Sequence, residues 1–310
     1  MQTPMMSARP DDLAAMPRRT VPTASEVAAT AAQLLASSSA ELSTSDREAV
    51  ARAARLLPAG MNVYVPKLPR RAHADAMDRL RLLAEMGFRP VPHIAARDLA
   101  STAELEAYLH VATRECGSER VLVIGGDADV PQGPFADSAA VIASGALEAT
   151  GVRHVDVAGY PDGHPKIGGD TLRSDLRRKR DLAAQSGLGL SVITQFSFHP
   201  ERIADYCVEL AEYAPGIPVL AGVAGPTSAT RLLHYAKICG VSTSLRAINK
   251  LGLDAVRLLT HADPSGQLQI LARRLAAGTA GGLAALHLFT FGGFVESAGW
   301  HRSQADRGPR

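Results

Sequence analysis

Five side chains able to do acid–base, charge-stabilising or hydrogen-bonding work stand at the ends of short apolar runs: His93 in "PHIAARD", Asp127 in "VIGGD", Tyr160 and His164 in "AGYPDGHP", and Gln195 in "VITQF". A carboxylate can stabilise developing positive charge, an imidazole can move a proton, and a carboxamide both donates and accepts along the edge of a heteroaromatic ring. Each residue also has an ordinary role. His93 could be a hydrogen-bonded core imidazole, Asp127 a helix cap and Gln195 a satisfied buried amide, while the Pro- and Gly-rich loop could be a stiff turn. Brought to one place, they are the convergent polar groups of a ligand site.

The runs that carry them belong to a regular series. β-Branched stretches predict strands at 61–66 ("MNVYVP"), 89–97, 119–127, 154–161, 189–196, 217–225, 240–244 ("GVSTS") and 286–293 ("LHLFTFGG"). Most are separated by amphipathic helical stretches, among them 72–87, 201–214 and 227–240. Near-continuous apolar strands are buried on both faces, and intervening helices imply parallel pairing. The series therefore predicts an α/β fold of the (β/α)8 TIM-barrel type over residues 60–298. An open doubly wound sheet is disfavoured because no Gly-x-Gly-x-x-Gly turn follows the first predicted strand. In a barrel, "YPDGHP" is a loop on the C-terminal face, where barrels place their chemistry. Residues 1–22 read as a flexible arm and 299–310 as a tail. Residues 23–59 read as a two-helix extension, capped at Thr23 or Ser25 and at Ser45 or Asp46.

Composition narrows the partners. A formal net charge of +2 over 310 residues supplies no broad field for nucleic acid or an anionic membrane surface. Cys116, Cys207 and Cys239 match no metal-ligand spacing and cannot all pair, which suits buried thiols in a reducing cytoplasm. No apolar stretch approaches the ~20 residues a membrane span needs, and the N-terminus lacks a signal-peptide pattern. A small molecule, or a second copy of the chain, is the expected partner.

"VIGGD", "VAGYPDGHP", "VITQF" and "LHLFTFGG" stand in the order and spacing of the methylenetetrahydrofolate reductases, and "PHIAARD" resembles that family's second-strand motif. The resemblance covers about residues 61–295. It implies a barrel oxidoreductase that interconverts 5,10-methylenetetrahydrofolate and 5-methyltetrahydrofolate through FAD and NAD(P)H. By the same resemblance Asp127 lies beside flavin and pterin as the catalytic carboxylate, Gln195 with Phe196 holds the pterin, and His93, Tyr160 and His164 contact the flavin. Gly126 and Ala158, in the same motifs, fall at the cofactor too. Asp175, Arg177, Arg178 and Lys179 in "DTLRSDLRRKRD" are candidates for its phosphate and adenosine contacts, with a solvated helix face as the alternative.

The match also has gaps. The family's first strand carries a glutamate that protonates a folate nitrogen as the ring opens, whereas "NVYVPKLP" contains no carboxylate. Tyr64 and Lys67 are near but are not assigned its role. The arginine often found before Gly-Asp is Gly125, and an aromatic lid residue corresponds to Ala229. Three readings follow: a reductase with an altered proton path, a flavin-free reductase taking hydride directly from NAD(P)H, or a folate-binding barrel of non-redox function such as methyl transfer.

Overall fold

The computed structural model describes residues 21–66, 73–227 and 263–307. Helix α1 (Ala24–Ala36) opens on a capping box in which the Thr23 hydroxyl accepts from Glu26 N–H and the Glu26 carboxylate accepts from Thr23 N–H. Helix α2 (Arg47–Ala54) is capped by Asp46, whose Oδ1 accepts from the amides of Glu48 and Ala49. Between these helices lies strand β1 (Ser39–Glu41).

That strand corrects the predicted organisation. β1 pairs in parallel with β2 (Asn62–Val65) on one side and β8 (Leu283–Phe289) on the other, so it closes the barrel. The predicted first strand is thus the second, the predicted second to sixth each move up by one, and the predicted eighth, 286–293, remains the eighth. The order continues through β3 (Arg89–Ala95), β4 (Arg120–Ile124), β5 (His154–Gly159), β6 (Gly189–Thr194) and β7 (Val219–Ala224). The predicted strand at 240–244, the helix at 227–240, Cys239, Ala229, Lys67 and the arm at 1–20 lie outside the described residues. All eight strands of the closed barrel lie within them.

Among the described helices, α3 (His73–Glu85), α4 (Thr102–His110), α5 (Ser138–Ile142), α6 (Ala146–Thr150), α7 (Gly169–Gln185), α8 (Pro200–Tyr213) and α9 (Ser265–Ala276) connect strands. The predicted tail is helical as well, in α10 (Phe294–Asp306), which packs against α1 and α2. Helix α1 also packs on α9 and β8, so it belongs to the outer layer.

Alternation along the strands sorts the two cores. Outward residues such as Val63, Val121, Val155, Val192 and Leu286 join the large cluster under the helices, while Tyr64, Val91, Leu122, Ile193, Leu220 and Ala285 fill the barrel. Barrel interiors are commonly filled by branched apolar residues. Here the lower interior is polar. Asp156 is fully buried, accepts from the Tyr64 hydroxyl at 2.7 Å and pairs with Arg120 Nη1 at 2.7 Å, and the His154 imidazole meets the Ser191 hydroxyl. Burial and the adjoining Asp156 carboxylate push the Tyr64 phenol well above its ordinary range, so it remains a donor.

Candidate active site

Glu41 ends β1 with its side chain turned into the barrel and its carboxylate 16% exposed. It places a carboxylate at the end of the first strand, whereas "NVYVPKLP" belongs to the second. Two buried imidazoles face the same oxygen: His287 Nε2 lies 3.6 Å and His93 Nε2 3.8 Å from Glu41 Oε1. Neither Nε2 has a hydrogen-bond partner among the described residues. Ser39 Oγ, two positions before Glu41 on the same face, sits 2.8 Å from His287 Nδ1 and fixes that ring. The carbonyl of Glu41 accepts from Thr290 Oγ1 at 2.9 Å.

Burial lowers the His93 pKa to about 4, against a smaller upward pull from Glu41. His93 is therefore neutral at physiological pH. Below pH 6.5 the unfolded chain takes up a proton that the folded chain refuses until about pH 4, so stability falls as pH drops through that window. The loss attributable to His93 is roughly 3 kcal/mol, from 1.36 kcal/mol per pKa unit. Urea unfolding at pH 7 and pH 5 should show a clear fall in midpoint for the wild type and a smaller fall for His93→Gln; equal falls would remove His93 as the source.

The remaining predicted residues lie on neighbouring strand ends. Asp127 is exposed just beyond β4, and Tyr160 and His164 follow β5 with their rings edge to face at 4.9 Å. Burial raises the Tyr160 pKa, and the Asp175 and Asp127 carboxylates add to the rise. Burial and Lys166 lower His164, opposed by Asp127. Asp127, Asp175, Tyr160 and His164 therefore share one electrostatic neighbourhood. Gln195 follows β6, its amide N–H donating to Gly159 O at 2.7 Å and its Oε1 accepting from Phe196 N–H at 3.0 Å. Ala158 is half-buried on the inward face of β5, and Gly126 takes a left-handed φ of +88° where a Cβ would sit 3.3 Å from that of Ala95. His93 lies deeper, inside the barrel beside Glu41 rather than in the outer loops.

An aromatic wall completes the rim. Phe196 contacts Phe289 at 5.8 Å and Phe291 at 5.1 Å between ring centroids, and Phe289 stacks on Phe291 at 6.1 Å. Phe291 carries the sole positive φ among described non-glycine residues, +48°, a strained backbone state of the kind found at binding sites. Gly222 makes room for this wall, since a Cβ there would lie 2.6 Å from the Phe289 ring and 2.1 Å from Thr194 O. Sequence reasoning missed Glu41, His287, Phe289 and Phe291. Alternation in "LHLFTF" was a usable signal for His287 and Phe289, which share the inward face of β8; nothing comparable marked Glu41.

The cationic stretch on α7 is occupied by its own surroundings. Lys179 pairs with Asp175, Arg178 Nη1 with Asp137 Oδ2 at 3.2 Å, and Arg177 donates to Tyr213 O while its guanidinium lies 5.6 Å from the Tyr213 ring centroid. Among the described residues no group of three or more His, Cys, Asp or Glu is arranged to hold a metal ion. No described helix is long and apolar enough to cross a membrane.

A closed eight-stranded parallel barrel with helices between its strands, and with polar and aromatic groups gathered at the strand ends, defines a (β/α)8 TIM-barrel protein with a rim site. The family model described as methylenetetrahydrofolate reductase matches residues 47–291. The chain belongs to the methylenetetrahydrofolate reductase family, a family of folate-related barrel enzymes. The match begins after β1, so Glu41 falls outside it. Among solved structures, the chain is similar to a Burkholderia cenocepacia dihydropteroate synthase (15% identity, TM-score 0.42, covering 88% of this chain and 93% of that one). It is also similar to 3-dehydroquinate dehydratases from Aquifex aeolicus VF5 (10%, 0.39, 64% and 85%) and Geobacillus kaustophilus HTA426 (18%, 0.38, 63% and 76%).

Proposed function

We propose that this protein interconverts 5,10-methylenetetrahydrofolate and 5-methyltetrahydrofolate, with Glu41 as the proton donor and Asp127 as the charge that stabilises the opened ring. The observation that carries the reading is the Glu41 carboxylate, inside the barrel mouth between two buried imidazoles. Reduction needs a proton on the nitrogen released when the methylene bridge opens, leaving an iminium cation at the other nitrogen. Glu41 gives that proton, Asp127 faces the cation, and hydride from the reduced nicotinamide adds to the methylene carbon to leave the methyl product. Gln195 matches donors and acceptors on the pterin edge, and the half-buried Phe289, stacked on Phe291 and backed edge-on by the buried Phe196, offers an aromatic surface for a pterin or nicotinamide ring.

A flavin would supply an intermediate hydride carrier, and Tyr160 and His164 suit its ring. Its diphosphate fits poorly. Arg177, Arg178 and Lys179 are each engaged by Tyr213, Asp137 and Asp175, and Gly125 offers no side chain where an arginine would stand. These contacts favour the second reading, direct hydride exchange between NAD(P)H and the folate. An anaerobic absorbance spectrum followed by turnover tests both. The expected protein is colourless, oxidises NAD(P)H only with methylenetetrahydrofolate present, and forms one 5-methyltetrahydrofolate per nicotinamide. A yellow protein bleached by NAD(P)H would restore the flavin route, and folate binding without turnover would overturn the redox assignment.

A further inference from the structure

Asp127 is exposed and makes no hydrogen bond or ion pair of its own among the described residues, so what the protein holds in place is the backbone that carries it. That backbone is gripped from the preceding strand end. Arg97, in the single turn Ala96–Asp98 that follows β3, reaches across to the loop after β4. Its Nε donates to Ala128 O at 2.6 Å, its Nη1 to Ala136 O at 3.0 Å and its Nη2 to Asp129 O. Its own N–H donates to Gly125 O at 2.9 Å, and its carbonyl accepts from Gln132 N–H at 2.9 Å. Five hydrogen bonds from one residue thus bracket Asp127 on both sides. The two segments also touch directly, since a Cβ on Gly126 would lie 3.7 Å from that of Arg97.

We propose that Arg97 is the positioning residue for Asp127, holding its carboxylate at the folate through the three loop carbonyls that its guanidinium binds. The planar fork, with donors pointing three ways, is what this task requires; an ammonium has the charge but cannot span three separate carbonyls. The inference rests on the proposed role of Asp127, and it extends that role to a residue that touches neither folate nor nicotinamide.

The test is a double-mutant cycle on the full chain with Arg97→Ala and Asp127→Asn, read as single-turnover oxidation of NAD(P)H at saturating methylenetetrahydrofolate. Arg97→Ala is expected to slow hydride transfer about tenfold or more, with the folate KM changing less than about threefold, because a misaimed carboxylate weakens the transition state more than ground-state binding. In the Asp127→Asn background the same substitution should change the rate less than about twofold. Millimolar guanidinium, far below denaturing concentrations, should restore part of the Arg97→Ala rate and none of the Asp127→Asn rate. If Arg97→Ala fails to fold, Arg97→Lys replaces it with the same expectations for rate and KM. A multiplicative loss in the double variant, or wild-type turnover in the Arg97 variant beside a slow Asp127→Asn, would overturn the positioning role alone. Wild-type turnover in Asp127→Asn would overturn the reading on which it rests.

Discussion

Glu41→Gln is expected to lower methylenetetrahydrofolate reduction by about 10² to 10⁴, the worth of a positioned general acid. The substitution is isosteric and keeps an oxygen and a donor at the place now facing His93 and His287, so what it removes is the transferable proton. Folate affinity should therefore stay within a few-fold, and the loss should appear in kcat. Thermal stability should hold or rise, because an ionisable group that is only 16% exposed leaves the barrel mouth while its backbone anchor, the bond from Thr290 Oγ1, remains. Methyl-group oxidation in the reverse direction should slow equally, since the same proton is returned to the same oxygen. Turnover within about threefold of wild type would mean that another group supplies the proton and that Glu41 is only a neighbour of the site.

The second large effect is expected at Asp127→Asn. A carboxylate about 4 Å from the iminium stabilises it by ~1 kcal/mol in bulk water and by ~4 kcal/mol at an effective dielectric near 20. Asp127 is exposed, and a folate seated over it would exclude the surrounding water. At 1.36 kcal/mol per power of ten, the rate should fall about fivefold at the bulk-water limit and by as much as about a thousandfold once folate covers the site. The carboxamide keeps the shape, so folate binding should be largely retained. Raising the salt concentration discriminates further: the wild-type rate should change little once folate is bound, because a covered pair is poorly screened. Rapid-mixing measurement of hydride transfer decides the matter, and an unchanged rate would remove the electrostatic role.

The two carboxylates differ in how they could be seen. Asp127 lies three positions past a five-residue strand, Arg120–Ile124, whose apolar run Val121–Ile124 has the pattern of a buried parallel strand, and its place follows from that pattern. Tyr160, His164 and Gln195 were legible for the same reason, as residues just past runs that can only be strands. Glu41 ends a three-residue strand, Ser39–Glu41, with no β-branched residue, set between two well-capped helices in an Ala-rich stretch. Local propensity there favours helix or turn. What makes it a strand is pairing with Asn62–Val65 on one side and the far end of the chain on the other, through Ser39 opposite His287. Such pairing has no local signature.

By itself the sequence determined the barrel, its parallel order and most of the rim, because burial on both faces leaves an unmistakable apolar pattern in each long strand. Only the tertiary structure decided which strand comes first, brought Glu41, His93 and His287 from three strands to one point, and spent the α7 cations on their neighbours. Those outcomes depend on closure of a ring between residues some 250 apart, as in the bond from Thr290 to Glu41, and closure is a property of the whole chain that no short stretch encodes.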